Sequence, residues 1–184
     1  MNHRERVLAA LSHREPDRVP LDLGGTSDST IMAVPYRALR EYLGLGAGTT
    51  RVADVFQHTA LVEEDVRQAL GIDVMFITDE PQAWRPGALP DGSPAEFPAR
   101  FQPQLQEDGS QVTFDAAGNV ALRMPRGGHY FDPVYSPLAD ATGVRDIEKH
   151  LSAIESYDTP SHLDMDLEAL AQKARALRET TGYL

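Results

Sequence analysis

Cysteine is absent from the 184 residues. Disulfides and cysteine-type zinc sites are thereby excluded within this chain. Long apolar runs are missing too, since no stretch approaches the roughly 18 apolar residues of a membrane span. Positive charge is scarce: 17 Lys and Arg stand against 28 Asp and Glu, for a formal net charge of −11. That balance argues against sequence-independent nucleic-acid binding, which runs on Lys/Arg contacts to phosphate. It also argues against docking on an anionic membrane surface. An acidic surface mainly favours solubility. The opening MNHRERVLAALSHREP has basic residues but only a broken apolar run. A signal peptide is therefore not expected there, and a cytoplasmic location is.

With 41% hydrophobic residues the chain can build a core, and its length fits one domain. Asn2 with Glu5 three residues on makes a capping box for a first helix, which Pro16 ends. VPLDL (19–23) reads as a strand punctuated by Gly24 and Gly25. Pro35 opens a second helix through YRALREYLGL. TALVEEDVRQAL (59–70) reads as a third, with Thr59 as cap and Gly71 as stop. IDVMFI (72–77) then reads as a strand apolar enough to be buried on both faces of a parallel sheet.

This order predicts an α/β fold with a parallel sheet. Residues 81–140 read as an excursion from that core. Within it, EDGSQVTFDAAGNVALRMP predicts a hairpin turning at DAAGN, and RGGHYFDPVYSPLADAT an irregular loop. VRDIEKHLSAI and SHLDMDLEALAQKARALRET predict a fourth and a fifth helix. Two core strands and the stub of a third at Tyr183-Leu184 are too few to cover five amphipathic helices. The expectation is therefore that the chain is the N-terminal fragment of a longer protein.

Three stretches resemble the uroporphyrinogen decarboxylase superfamily: RERVLAALSHREPDRVPLDLGG, ALGIDVMFITDEPQAW and PLADATGVRDIEKHL. That superfamily holds the haem-pathway decarboxylase and methyltransferases that move methyl groups between corrinoids, thiols and methylated compounds. The resemblance implies the N-terminal portion of a (β/α)8 barrel spanning 1–184, with the C-terminal half of the barrel missing. In a barrel the site lies at the C-terminal ends of the strands. The GGTSDS and TDEP segments would then be neighbouring loops on that face.

Each candidate residue has a plain alternative. Gly24 and Gly25 would let the backbone approach a ligand, and Thr26, Ser27 and Ser29 would donate to it. Equally, they make a tight turn with a hydroxyl cap. Asp22 points into the barrel, where it needs a partner, or sits in the turn or faces a helix. Asp79 ends the second strand. The resemblance implies a catalytic carboxylate there, an acceptor of ligand N–H groups that stabilises positive charge; the alternative is a turn aspartate before Pro81. His58 and His129 are the histidines near loops of interest. His129 and Tyr130, beside Phe131, line a pocket or pack the excursion. No His/Asp/Glu spacing makes a convincing metal site, and there is no Ser-His-Asp pattern or phosphate-binding P-loop.

Against the decarboxylase stands one departure. That enzyme carries arginines after its first strand to grip its substrate's carboxylates, whereas no arginine lies between Val19 and Tyr36 here. A methyltransferase linked to a corrinoid is the expected function, acting on a small-molecule substrate and partnered by a corrinoid protein. The alternatives are uroporphyrinogen decarboxylase itself and a non-enzymatic ligand-binding barrel. The methyltransferase branch implies zinc, whose ligands would lie downstream. No cofactor is expected on this fragment, which alone is expected to be inactive.

Overall fold

The computed structural model describes residues 1–78, 83–115, 118–155 and 166–184. The chain divides into two compact units, Met1–Arg100 with Met165–Leu184, and Phe101–Asp164.

The first unit starts with helix α1, His3–Leu11, whose Asn2–Glu5 capping box forms as its sequence predicts. Helix α2 covers Ala33–Tyr42. Strands β1 (Val52–Asp54) and β2 (Thr59–Ala60) pair antiparallel. Helix α3 is confined to Glu64–Leu70. It starts later than its sequence pattern suggests because Thr59 and Ala60 are taken into β2, where both are buried. Gly71 stops α3 in the left-handed conformation, at φ +65. Strands β3 (Trp84–Ala88) and β4 (Pro94–Pro98) form a second antiparallel hairpin. The Glu96 N–H donates to Thr50 O at 2.8 Å, which ties β4 to the chain entering β1. Helix α5, Leu167–Thr180, belongs to this unit; its N-cap Asp166 accepts from Glu168 and Ala169 N–H. The core holds Tyr36, Val52, Val66, Ile72 and Phe97. Full burial of such side chains contributes about 2 kcal/mol each.

The second unit is an antiparallel sheet of four short strands in sequence order: β5 (Gln104–Leu105), β6 (Gln111–Phe114), β7 (Val120–Met124) and β8 (Asp132–Pro133). β6 and β7 are the hairpin that the sequence pattern predicts, with Thr113 opposite Leu122. Val112, Leu122, Met124, Phe101 and Phe131 make its core, the two phenylalanine rings meeting edge-on at 5.4 Å. A 3-10 turn at Val144–Asp146 leads into helix α4, Ile147–Glu155.

The (β/α)8 barrel expectation is corrected by this architecture. Among the described residues every sheet is small and antiparallel, and nothing closes into a barrel. The reason lies in the two runs read as barrel strands. Residues 19–23 and 72–78 lie side by side, and Asp73 N–H donates to Leu21 O at 2.9 Å. The return bond, however, runs from Leu21 N–H to the Asp73 carboxylate at 2.8 Å rather than to a backbone carbonyl. Asp22 then bends the chain away, its Oδ1 accepting Gly25 N–H at 2.8 Å. A side chain thus stands where a ladder bond would continue, and no regular strand forms. On the other side, Leu184 N–H donates to Asp73 O at 3.2 Å and Met75 N–H to Leu184 O at 3.0 Å, one parallel pair in isolation.

Candidate functional site

The resemblance places the site at the 22–30 loop and at the end of the 72–78 run. Gly24 sits at φ +86, and a Cβ there would lie 2.6 Å from Val62 Cγ2. A Cβ on Gly25 would lie 2.6 Å from Val74 Cγ2. Both glycines therefore serve close packing of the loop onto Val62 and the 72–78 run.

The hydroxyls of Thr26 and Ser29 are engaged within the loop itself. Thr26 Oγ1 donates to Ser29 Oγ at 3.0 Å and accepts from Ser29 N–H at 3.0 Å and Asp28 N–H at 3.2 Å. Thr26 N–H donates to Ser29 Oγ at 2.9 Å, and Gly24 N–H to Ser29 O at 2.8 Å. Thr30 Oγ1 donates to Ala60 O at 3.1 Å. This is a self-satisfied turn of the Ser/Thr kind. Asp22 is exposed and closes the turn through Gly25, while Ser27 is half-buried within it.

The loop and the 72–78 run are thus brought together by Gly25 and Val74. Asp79, the expected catalytic carboxylate, lies outside the described residues. His129 and Tyr130 belong to the second unit and are exposed there, Tyr130 by 55%. His58 is buried at φ +52 with its ring edge-on to Phe97 at 5.6 Å. Burial pushes its imidazole pKa down, and Asp54 nearby partly offsets this.

The densest chemistry is a cluster that a reading of apolar periodicity passes over. Asp73 is fully buried in the run IDVMFI. Its Oδ1 takes Arg6 Nη1 at 2.5 Å, His3 Nδ1 at 2.8 Å and Arg18 Nη2 at 3.0 Å. Its Oδ2 takes Arg18 Nη1 at 2.7 Å and Leu21 N–H at 2.8 Å. Burial alone would push this carboxyl up. The donors from Leu21, His3, Arg18 and Arg6 outweigh it and hold the pKa at about 2. Asp17 grips Arg6 from the other side, at 2.6 Å to Nε and 2.9 Å to Nη2, and pairs with the amino group of Met1 at 3.2 Å. His3 also stacks on Tyr183 at 4.8 Å, and Tyr183 Oη donates to Glu64 at 2.8 Å. One signal was available in the sequence: an aspartate inside an apolar run needs a partner. The cluster's five donors hold the carboxylate ionised and tie α1 and Arg18 to the 72–78 run.

Zinc, which the methyltransferase branch implies, does not fit the described residues. The chain has no cysteine, and no group of three His, Asp or Glu side chains among the described residues could hold an ion. No helix among the described residues is long and apolar enough to cross a membrane. The chain matches no family model, no curated protein and no solved structure.

Proposed function

We propose that this chain works as part of an enzyme of the uroporphyrinogen decarboxylase kind, on its methyltransferase side, moving a methyl group between a corrinoid and a small-molecule partner such as a thiol. One observation carries the reading. Two separate stretches that bear the resemblance, EPDRVP and ALGIDVMFITDEP, meet through their charged residues, Arg18 on Asp73 at 2.7 Å.

The substrate side follows from charge. No arginine lies between Val19 and Tyr36, and the flanking Arg18 and Arg37 are paired with Asp73 and Glu41. A multiply carboxylated tetrapyrrole wants several guanidinium forks in that place. A neutral or singly charged substrate does not. The described residues are assigned binding and orientation only.

The test uses the protein expressed from its complete reading frame. Two assays run side by side: loss of the methyl group from methylcobalamin in the presence of a thiol, followed by absorbance, and formation of decarboxylated porphyrinogen from uroporphyrinogen. The expected result is turnover in the first and none above buffer in the second. Product in the second assay would move the reading to the decarboxylase. Silence in both would replace an enzyme with a binding protein.

A further inference from the structure

The chain carries 15 arginines and only two lysines, Lys149 and Lys173. They sit in different settings. Lys149 is 73% exposed and pairs with Asp146, one helical turn away, at 2.6 Å. Lys173, on α5, is half-buried and donates from Nζ to the backbone carbonyl of Thr78 at 3.2 Å, across 95 residues of sequence.

The geometry points to Lys173 as a positioning residue that fixes the end of the 72–78 run; the inference rests on the reading under Proposed function. Helix α5 is anchored at its far end. Arg4 holds the carbonyls of Arg178, Thr181 and Tyr183, each at 3.1 Å, and Leu184 pairs with Asp73 and Met75. From Thr180 back to Lys173 the helix covers about 10 Å at 1.5 Å per residue. The four-carbon stem of Lys173 spans from α5 to the end of the 72–78 run. An ammonium there grips Thr78 O and so holds the last carbonyl of the run. The run is held at its start by the Asp73 cluster, and Lys173 holds its end. It thereby orients the edge that, with Gly25 packed on Val74, carries the candidate ligand loop.

Lys173→Met, Lys173→Arg and Lys149→Met test this in the protein from the complete reading frame. Hydrogen exchange read by mass spectrometry should show faster exchange in the peptide covering 72–78 for Lys173→Met only, with Lys173→Arg close to wild type. In the methyl-transfer assay Lys173→Met should lower kcat about tenfold with KM within about twofold, since misplacement costs orientation rather than affinity. Lys173→Arg should recover most of kcat, and the melting temperature should stay put. Unchanged exchange at 72–78 overturns the proposal, as does an unchanged kcat or a fall in kcat matched by a fall in melting temperature. A wild-type protein without turnover defeats the functional reading instead, and the exchange measurement then decides by itself whether Lys173 fixes the run.

Discussion

Residues 1–100 with 165–184 are tied by charges far apart in sequence, whereas residues 101–164 are tied by near neighbours. In the first unit Arg6 reaches Asp73 across 67 residues, Arg18 across 55, and Arg40 reaches Asp65 across 25. In the second, Asp108 accepts from Ser110, Asp115 from Asn119 and Asp146 from Thr142, and Arg123 reaches Asp108 across 15 residues. A buried charge with several distant donors is expensive to leave unmatched. A turn carboxylate in water is not. The first unit therefore adds a buried, long-range charge cluster to its apolar core. The second rests on ordinary apolar packing.

Breaking the Asp73 cluster should have the largest effect. Asp73→Ala strips the buried Arg6 guanidinium, and the exposed Arg18 beside it, of their shared acceptor, and breaking such a cluster costs about 3 kcal/mol. Urea unfolding should show it, and hydrogen exchange should rise in 3–11 and 72–78 while 111–124 stays protected. An equal rise in 111–124 would erase the contrast between the two sets of ties. Next comes Leu122→Ala in the second unit, a buried leucine whose truncation costs about 2–3 kcal/mol by lost packing. Its loosening should appear in 111–124 first.

A smaller effect sharpens the loop assignment. Gly24→Ala puts a Cβ into a left-handed backbone and against Val62, for about 1–2 kcal/mol. Val62→Ala in the same chain should return part of that loss, as only the contact and not the backbone strain is relieved. Full recovery would show that φ +86 is not required.

The smallest effect is a pH slope. His58 is buried with its pKa pushed down, so between that value and about 6.5 the unfolded chain takes up a proton that the folded chain refuses. Stability from this group is complete above about 6.5 and is lost as pH falls below it. Asp73 acts lower, its stability present above its ordinary carboxylate range and lost as pH falls towards about 2. The melting temperature of wild type should therefore drop between pH 7 and pH 5.5. It should drop less in His58→Asn, since asparagine accepts a positive φ and does not titrate. Parallel curves would remove His58 as the source.

The same contrast explains which features were legible in the sequence. The Asn2–Glu5 cap, the Gly71 stop and the hairpin at 111–124 depend on residues within a few positions of one another, and each formed as read. Apolar content alone predicts strands for the runs at 19–23 and 72–77. What decides them is a carboxylate at 73 with donors from 3, 6, 18 and 21. Local pattern does not encode which distant donor meets which acceptor. The start of α3 was misplaced for a similar reason, because pairing with β1 took Thr59 and Ala60 out of the helix. The glycines and hydroxyls of the 22–30 loop, expected on the face of a barrel, form a tight turn instead. Their mutual hydrogen bonds were not foreseeable from composition.

The bond from Arg4 N–H to Gly182 O at 2.6 Å and the His3–Tyr183 stack join positions nearly 180 residues apart. A ribosome adds roughly 5–20 residues per second, so α1 waits on the order of ten to forty seconds for its partners to be made. The hairpin of β6 and β7, by contrast, is complete within moments of its own synthesis. Birth order and docking order are thus reversed, and the first helix to emerge is among the last to settle. Limited proteolysis of ribosome-stalled chains should cut near residues 11–18 until about position 184 has left the exit tunnel. Early protection there would mean that α1 docks without its distant partners.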